Sequence, residues 1–168
     1  MKEENLMLTE DQTNRLWNDI LAAEVRSLYF ADLGARYTRQ KQLITGVSFF
    51  FSSGAAASWA AHAPAWIPVA MSVLTAMSTA YSIAVGLDKK ASTMVKLHYA
   101  WSRIENDRRR LWNHWYEDDA ESRLKEIESR DADASQIAIT DAPYNKGLIQ
   151  KWKIFVDENE QPKTTIPA

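Results

Sequence analysis

Hydrophobic and charged positions are segregated along this chain. From Gln42 to Leu87, 46 consecutive residues contain no Asp, Glu, Lys or Arg, and all 42 charged residues lie in the other 122 positions. On both sides of that stretch, apolar residues recur every three or four positions with charges between them, the pattern of amphipathic helices. A helix needs about 20 residues to cross the hydrocarbon core of a bilayer, so the charge-free stretch has room for two crossings and a tight turn. The turn is read at residues 62–66, where Pro64 and the following Pro68 suit a helix end and the first turn of the next helix. Span one is then Leu43 to Ala61 and span two Trp66 to Leu87. The aliphatic and aromatic residues of either span favour insertion by about 2 to 4 kcal/mol, and the many Ser and Thr residues take some of this back. The two spans are therefore expected to insert together as a hairpin.

The flanks complete an all-α reading: a two-span transmembrane hairpin (residues 43–87) extended by long cytoplasmic helices that pack together. Residues 1–42 start as a polar tail and become an N-terminal helix. Thr9 and Gln12 have the spacing of a capping box. Leu16, Trp17, Ile20, Leu21, Ala23, Val25 and Leu28 then form a broad apolar face, and Gly34 is expected to break or bend the helix. Residues 88–130, free of Pro and Gly, read as one long helix. Its stripe is Met94, Leu97, Trp101, Ile104, Leu111 or Trp112, and Trp115. Residues 131–156 read as a linker with some extended character at Ile137-Ala138-Ile139, ended by Pro143, and then a short amphipathic helix that docks back onto the pair or lies on the inner leaflet. Residues 157–168 are expected to be a disordered tail.

Charge sets the orientation. Arg36, Arg39 and Lys41 precede span one, Lys89, Lys90 and Lys96 follow span two, and the turn has no Lys or Arg. The positive-inside rule then puts both termini in the cytoplasm, with Trp59 and Trp66 at the outer interface. The competing fold is a buried hairpin of a soluble bundle, but such a hairpin normally keeps a polar face.

The net charge is −2, from 20 basic and 22 acidic residues, which speaks against direct DNA binding. With no cysteine, disulfides, thiolate catalysis and cysteine-ligated zinc are excluded. The three histidines, His62, His98 and His114, have no metal-ligand spacing. Asp131-x-Asp133-x-Ser135 starts like a calcium loop, but Gln136 and Ala142 stand where that loop needs Gly and Glu. No nucleotide-binding glycine loop and no nucleophile elbow is present. Neither an enzyme nor a cofactor is expected.

Three residue groups remain as candidate sites. Thr45, Ser48 and Ser52 in span one, and Ser72, Thr75, Thr79, Ser82 and Gly86 in span two, recur at helical spacing. Two readings stay open: small residues let helices approach and hydroxyls bond across or to their own backbone, or the stripes line a polar path in a homo-oligomer. Neither stripe contains an ionisable group, which argues against a proton relay. Trp101, Trp112, Trp115 and Trp152 suit either core packing or a partner or gate surface. Arg108, Arg109 and Arg110 fan out around a helix with acids nearby, as a solvated face with ion pairs or as contacts for a phosphate-bearing ligand such as a signalling nucleotide.

The layout resembles the SLATT family, two-transmembrane effectors beside bacterial nucleotide-signalling and retron defence systems. The resemblance covers about residues 10–157. It rests on the layout, on Tyr37-Thr38-Arg39-Gln40-Lys41 entering the first span, on Gly86-Leu87-Asp88-Lys89-Lys90-Ala91 leaving the second, and on Pro143-Tyr144-Asn145 before Trp152. It implies an antiviral effector that permeabilises or disrupts the inner membrane when a sensor protein or signalling nucleotide triggers it, causing growth arrest or cell death. The family offers no catalytic residues to carry over. The rival expectation is a membrane-anchored scaffold or adaptor whose cytoplasmic helices bind a partner protein.

Overall fold

In a computed structural model, residues 8–53 and 66–159 are described. They form five α-helices and no strand: α1 (Glu10–Ser52), α2 (Trp66–Val85), α3 (Leu87–Asn113), α4 (Ala120–Asp141) and α5 (Lys146–Asn159). The all-α expectation holds. The polar tail before Leu8, the second half of span one with Trp59, the turn at residues 62–65 with Pro64, and the chain after Asn159 lie outside the described residues. The chain divides into two units, Met1–Asp32 with Thr93–Ala168, and Leu33–Ser92; α1 and α3 pass through both.

The first unit is an antiparallel helical assembly. Thr9 and Gln12 form the reciprocal cap: Gln12 Oε1 accepts from the Thr9 amide at 2.8 Å, and Thr9 Oγ1 accepts from the Gln12 amide at 3.3 Å. From there α1 buries Leu16, Ile20, Ala23, Tyr29 and Phe30. Rising positions on α1 meet falling positions on α3: Trp17 stacks on Trp112, Glu24 pairs with Arg109, and Ser27 bonds His98. After the turn at residues 114–119, α4 is tied to α3 by two ion pairs, Asp107 with Arg130 and Arg108 with Asp131. Met94, Leu97, Trp101, Ile104 and Leu111 of α3 and Leu124, Ile127 and Ala134 of α4 are buried. The short helix α5 buries Leu148 and Val156.

Two expectations fail here. Residues 88–130 are not one helix: the chain turns at His114–Asp119 and α4 begins at Ala120. The break needs neither Gly nor Pro. The His114 amide bonds the Leu111 carbonyl at 3.0 Å, a tightened final turn, and Glu117, Asp118 and Asp119 gather before the positive end of α4. Residues 131–141 are not a linker: α4 continues to Asp141, with Ser135 and Thr140 bonding back one turn to Asp131 and Gln136. Pro143, expected to end the linker, ends α4 instead, because the residue before a proline is pushed out of the helical region, and Ala142 is extended. Two smaller differences are that α1 runs unbroken through Gly34 and that α5 takes in Asp157, Glu158 and Asn159 from the expected tail.

In the second unit, α2 ends at Val85, two residues short of the expected end of span two. Gly86 has φ +63° and Leu87 already belongs to α3. The Gly86 carbonyl accepts from the Lys90 amide at 3.0 Å, so this one residue closes α2 and opens α3. Lys41 of α1 pairs with Asp88 at the start of α3. Side chains that would be core elsewhere face outward: Leu43, Phe49 and Phe50 on α1, and Val69, Val73, Leu74, Met77, Tyr81 and Ile83 on α2. Among the described residues no single helix is long and apolar enough to cross a membrane. The pair Val69–Val85 and Leu87–Asn113, bent by 41° at Gly86, passes on length and composition.

A left-handed φ costs a residue with a Cβ roughly 1–2 kcal/mol. A Cβ at Gly86 would meet nothing within 4 Å, so the expected penalty of Gly86→Ala is backbone strain alone. Thermal unfolding should show a loss of about 1 kcal/mol for Gly86→Ala and a smaller one for Gly86→Asn, which tolerates this region.

Candidate functional site: an arginine layer and an open groove

On α2 the less exposed positions are Met71, Thr75, Ser78, Ser82 and Val85, while Ser72 and Thr79 are exposed. On α1, Ser48 is half-covered, and Thr45 and Ser52 are exposed. Several hydroxyls bond their own helix: Thr75 Oγ1 donates to the Met71 carbonyl at 3.0 Å, Thr79 Oγ1 to Thr75 at 3.0 Å, and Ser52 Oγ to Ser48 at 2.8 Å. This local bonding satisfies those three hydroxyls in an apolar helix, whereas the Ser48 hydroxyl is buried without a hydrogen-bond partner among the described residues.

The three arginines of the basic run have different surroundings. Arg108 is 4% exposed; it pairs with Asp131 and donates to the Asp19 carbonyl at 3.2 Å. Arg109 bonds Glu24 at 2.8 Å and Glu105 at 2.9 Å. Arg110 is exposed. Arg108 and Arg109 are thus engaged by carboxylates, the ion-pair arrangement rather than an open phosphate cradle. Arg26 joins from α1: its guanidinium lies 4.5 Å from the centre of the Trp101 ring and 3.5 Å from Asp131. Ser135 Oγ adds a bond to the Asp131 carboxylate at 3.2 Å. One carboxylate thus gathers α1, α3 and α4. On the outer side of α4, Lys125 is held above its ordinary pKa by a hydrogen bond and the charge of Glu121.

The four tryptophans are equally unlike. Trp101 is buried and lies beneath Arg26, and Trp112 packs on Trp17. Trp115 falls in the turn rather than on the helix, is 44% exposed, and its carbonyl accepts from the Leu8 amide at 3.4 Å. Trp152 lies against Phe155 and under Lys151.

Beside the arginine layer, α1, α4 and α5 leave an open groove of about 870 Å³, within the roughly 300–1,000 Å³ of small-molecule sites. Leu21, Val25, Phe30, Ile139 and Ile149 supply apolar walls, and Arg26, Lys153 and Asp157 supply the charges. One end is fixed by Tyr29. Its hydroxyl donates to the Pro143 carbonyl and accepts from the Asn145 amide at 3.1 Å, and Asn145 Oδ1 in turn caps α5 through the Leu148 amide at 3.0 Å. Among the described residues, no three His, Asp or Glu side chains are placed to hold a metal ion.

Arg26, Tyr29, Asp131 and Asn145 were not singled out as site residues from sequence. The absence of Gly and Pro between Asp88 and Ala142 was the available signal that α4 continues past Asp131. Glu117-Asp118-Asp119 followed by Glu121 was the signal for a helix start in between. Comparison of the chain with family models, curated proteins and solved structures yields no match.

Removing one partner of a buried ion pair costs roughly 3–5 kcal/mol. Asp131→Ala should fall near the low end, about 3 kcal/mol, because Arg108 keeps the Asp19 carbonyl. The exposed Arg123→Ala should cost less than about 1 kcal/mol. Urea unfolding followed by helical circular dichroism compares the two. Tyr29→Phe deprives the Asn145 amide and the Pro143 carbonyl of their partner, an expected loss of about 1–3 kcal/mol. Faster hydrogen exchange at Asn145 and Leu148 would locate that loss at the groove end.

Proposed function

We propose that this chain is an inner-membrane effector of a bacterial anti-phage system, which oligomerises and permeabilises the membrane once triggered. One observation carries the membrane part: Val69, Val73, Leu74, Met77, Tyr81 and Ile83 are each more than half exposed on a helix with no charged residue. Water is a poor solvent for such a surface, and contiguous apolar patches of this kind mark membrane or protein contacts. At 20 residues, α2 is about 30 Å long, the thickness of a hydrocarbon core. Its hydroxyls weaken insertion of a single helix, which favours entry as a hairpin and association between copies. The effector role is supported by the resemblance in layout to the SLATT family, with both termini in the cytoplasm. The helices of the first unit would then hold the resting state, and a trigger would act by its differential affinity for resting and active states.

The anchored-scaffold reading is favoured by a different observation. Ile139 and Tyr144 are 85% and 79% exposed, apolar surface in the first unit that a partner protein would cover.

Topology is tested with a reporter active only outside the cytoplasm: silent when fused after Ala168, active when inserted at Ala65. The reverse pattern overturns the membrane arrangement. For activity, membrane potential and growth are followed after controlled expression together with the neighbouring sensor gene. The intact chain should depolarise cells. Ser78→Asp, which puts a charge costing roughly 2.5–3.5 kcal/mol at a span centre, should abolish the effect. Thr75→Leu with Thr79→Leu should change oligomer size in detergent. A chain that inserts but never depolarises supports the scaffold.

A further inference from the structure

The charges of the second unit lie where its apolar surface begins and ends along the chain. Between Leu33 and Ser92 there are five Lys and Arg residues and one acid, a net of +4 in a chain whose net charge is −2. All six sit at 36–41 and 88–90, on the two sides of the charge-free stretch. The one acid, Asp88, is held by Lys41 at 2.5 Å, and that pair ties α1 to the start of α3. Arg39 is two residues from one partner, and Lys89 and Lys90 directly follow the other, so the pair brings these cations to one level of the unit. All three are exposed and make no ion pair among the described residues. Lys89 and Lys90 stand in the first turn of α3, where the helix dipole disfavours a cation. Arg39 also continues an apolar face: Leu43, Val47 and Phe50, all exposed, follow it at four, eight and eleven residues. That spacing puts the four side chains on one stripe of α1.

We propose that Arg39, Lys89 and Lys90 seat the chain on the phosphate headgroups of acidic phospholipids, so that it takes an anionic bilayer in preference to a neutral one; this rests on the membrane reading above. The charge of flanking loops sets orientation during insertion, but it does not ask for a cation in register with an exposed apolar face. An anionic bilayer answers both halves at once. The aliphatic stems of the three cations lie along apolar surface while their heads reach phosphate, and Leu43, Val47 and Phe50 go deeper. A soluble polyanion of the same charge would leave that stripe in water. Each basic residue close to an anionic leaflet gives about a fivefold gain in binding, and the effect fades within a Debye length.

The test measures partition of the full chain from dilute detergent into vesicles, read by flotation. One set is phosphatidylcholine; in the other about a third of it is replaced by phosphatidylglycerol. The intact chain should prefer the anionic set about tenfold or more. Raising salt from about 0.1 M to about 1 M should remove most of that preference. Arg39→Gln, Lys89→Gln and Lys90→Gln together should reduce it to about twofold and leave partition into phosphatidylcholine unchanged. Arg39→Lys with Lys89→Arg and Lys90→Arg should keep it. So should Arg103→Gln with Arg110→Gln and Lys146→Gln, an equal loss of exposed charge in the first unit. Equal partition of the intact chain into both sets, or a preference that the three second-unit Gln substitutions leave unchanged, overturns the proposal and leaves the membrane reading standing. A preference lost equally in the first-unit variant reports net charge and also overturns it. A chain that enters neither set overturns both. If the Gln variant does not fold, the lipid and salt dependence of the intact chain and the charge-keeping variant decide. Binding of a labelled single-stranded RNA in detergent, lost in the Gln variant while no lipid preference exists, assigns the cations to nucleic acid and overturns the proposal.

Discussion

A guanidinium buried among helices must be answered by a carboxylate, and Arg108 is answered by Asp131. Much of the first unit follows from that requirement. Asp131 lies 23 positions further along the chain, so the chain has to reverse between them. The reversal is the turn at His114–Asp119, and it makes α4 antiparallel to α3. The free edge of the same carboxylate draws in Arg26 from α1, and Arg26 in turn covers Trp101. Breaking such a pair is far more costly than its net contribution to stability. Its main effect is therefore to specify one arrangement of α1, α3 and α4 over others that would bury as much apolar surface.

The second unit solves the same problem of polar groups in the opposite way. Between Gln42 and Leu87 it carries no charge, and the hydroxyls of Ser52, Thr75 and Thr79 are answered within one turn of their own backbone. Thr75 and Thr79 each return a proton to a carbonyl four residues back, leaving the helix surface to Val, Leu, Met, Ile and Tyr. Such a helix requires no polar partner for these hydroxyls, and most of its exposed large side chains are apolar. The two units thus differ in the kind of partner that their surfaces call for, ionic and specific in one, apolar and undemanding in the other.

How much of this could be read from sequence depended on the range of the interaction. The cap at Thr9 and Gln12 and the start of α2 near Trp66 are local, and each stands where the pattern puts it. The buried stripe Met94, Leu97, Trp101, Ile104 also held, because helical periodicity is a local signal. What failed was non-local. Nothing near Asp131 says that Arg108 needs it, so α4 was divided wrongly and the basic run was weighed without its partner. Likewise Tyr29 reads as one more apolar position on α1, although its hydroxyl fastens the connection between α4 and α5.

The unbroken course of α1 has a mechanical consequence. Forty-three residues of continuous hydrogen-bonded backbone make a rod about 65 Å long. It carries the Trp17 contact near one end and the Phe49 and Phe50 side chains near the other. A helix without a hinge neither stretches nor absorbs torsion cheaply, since every peptide would have to give up part of its bond. Within each unit its turns are therefore held in phase by backbone hydrogen bonds, with no loop to relax between them.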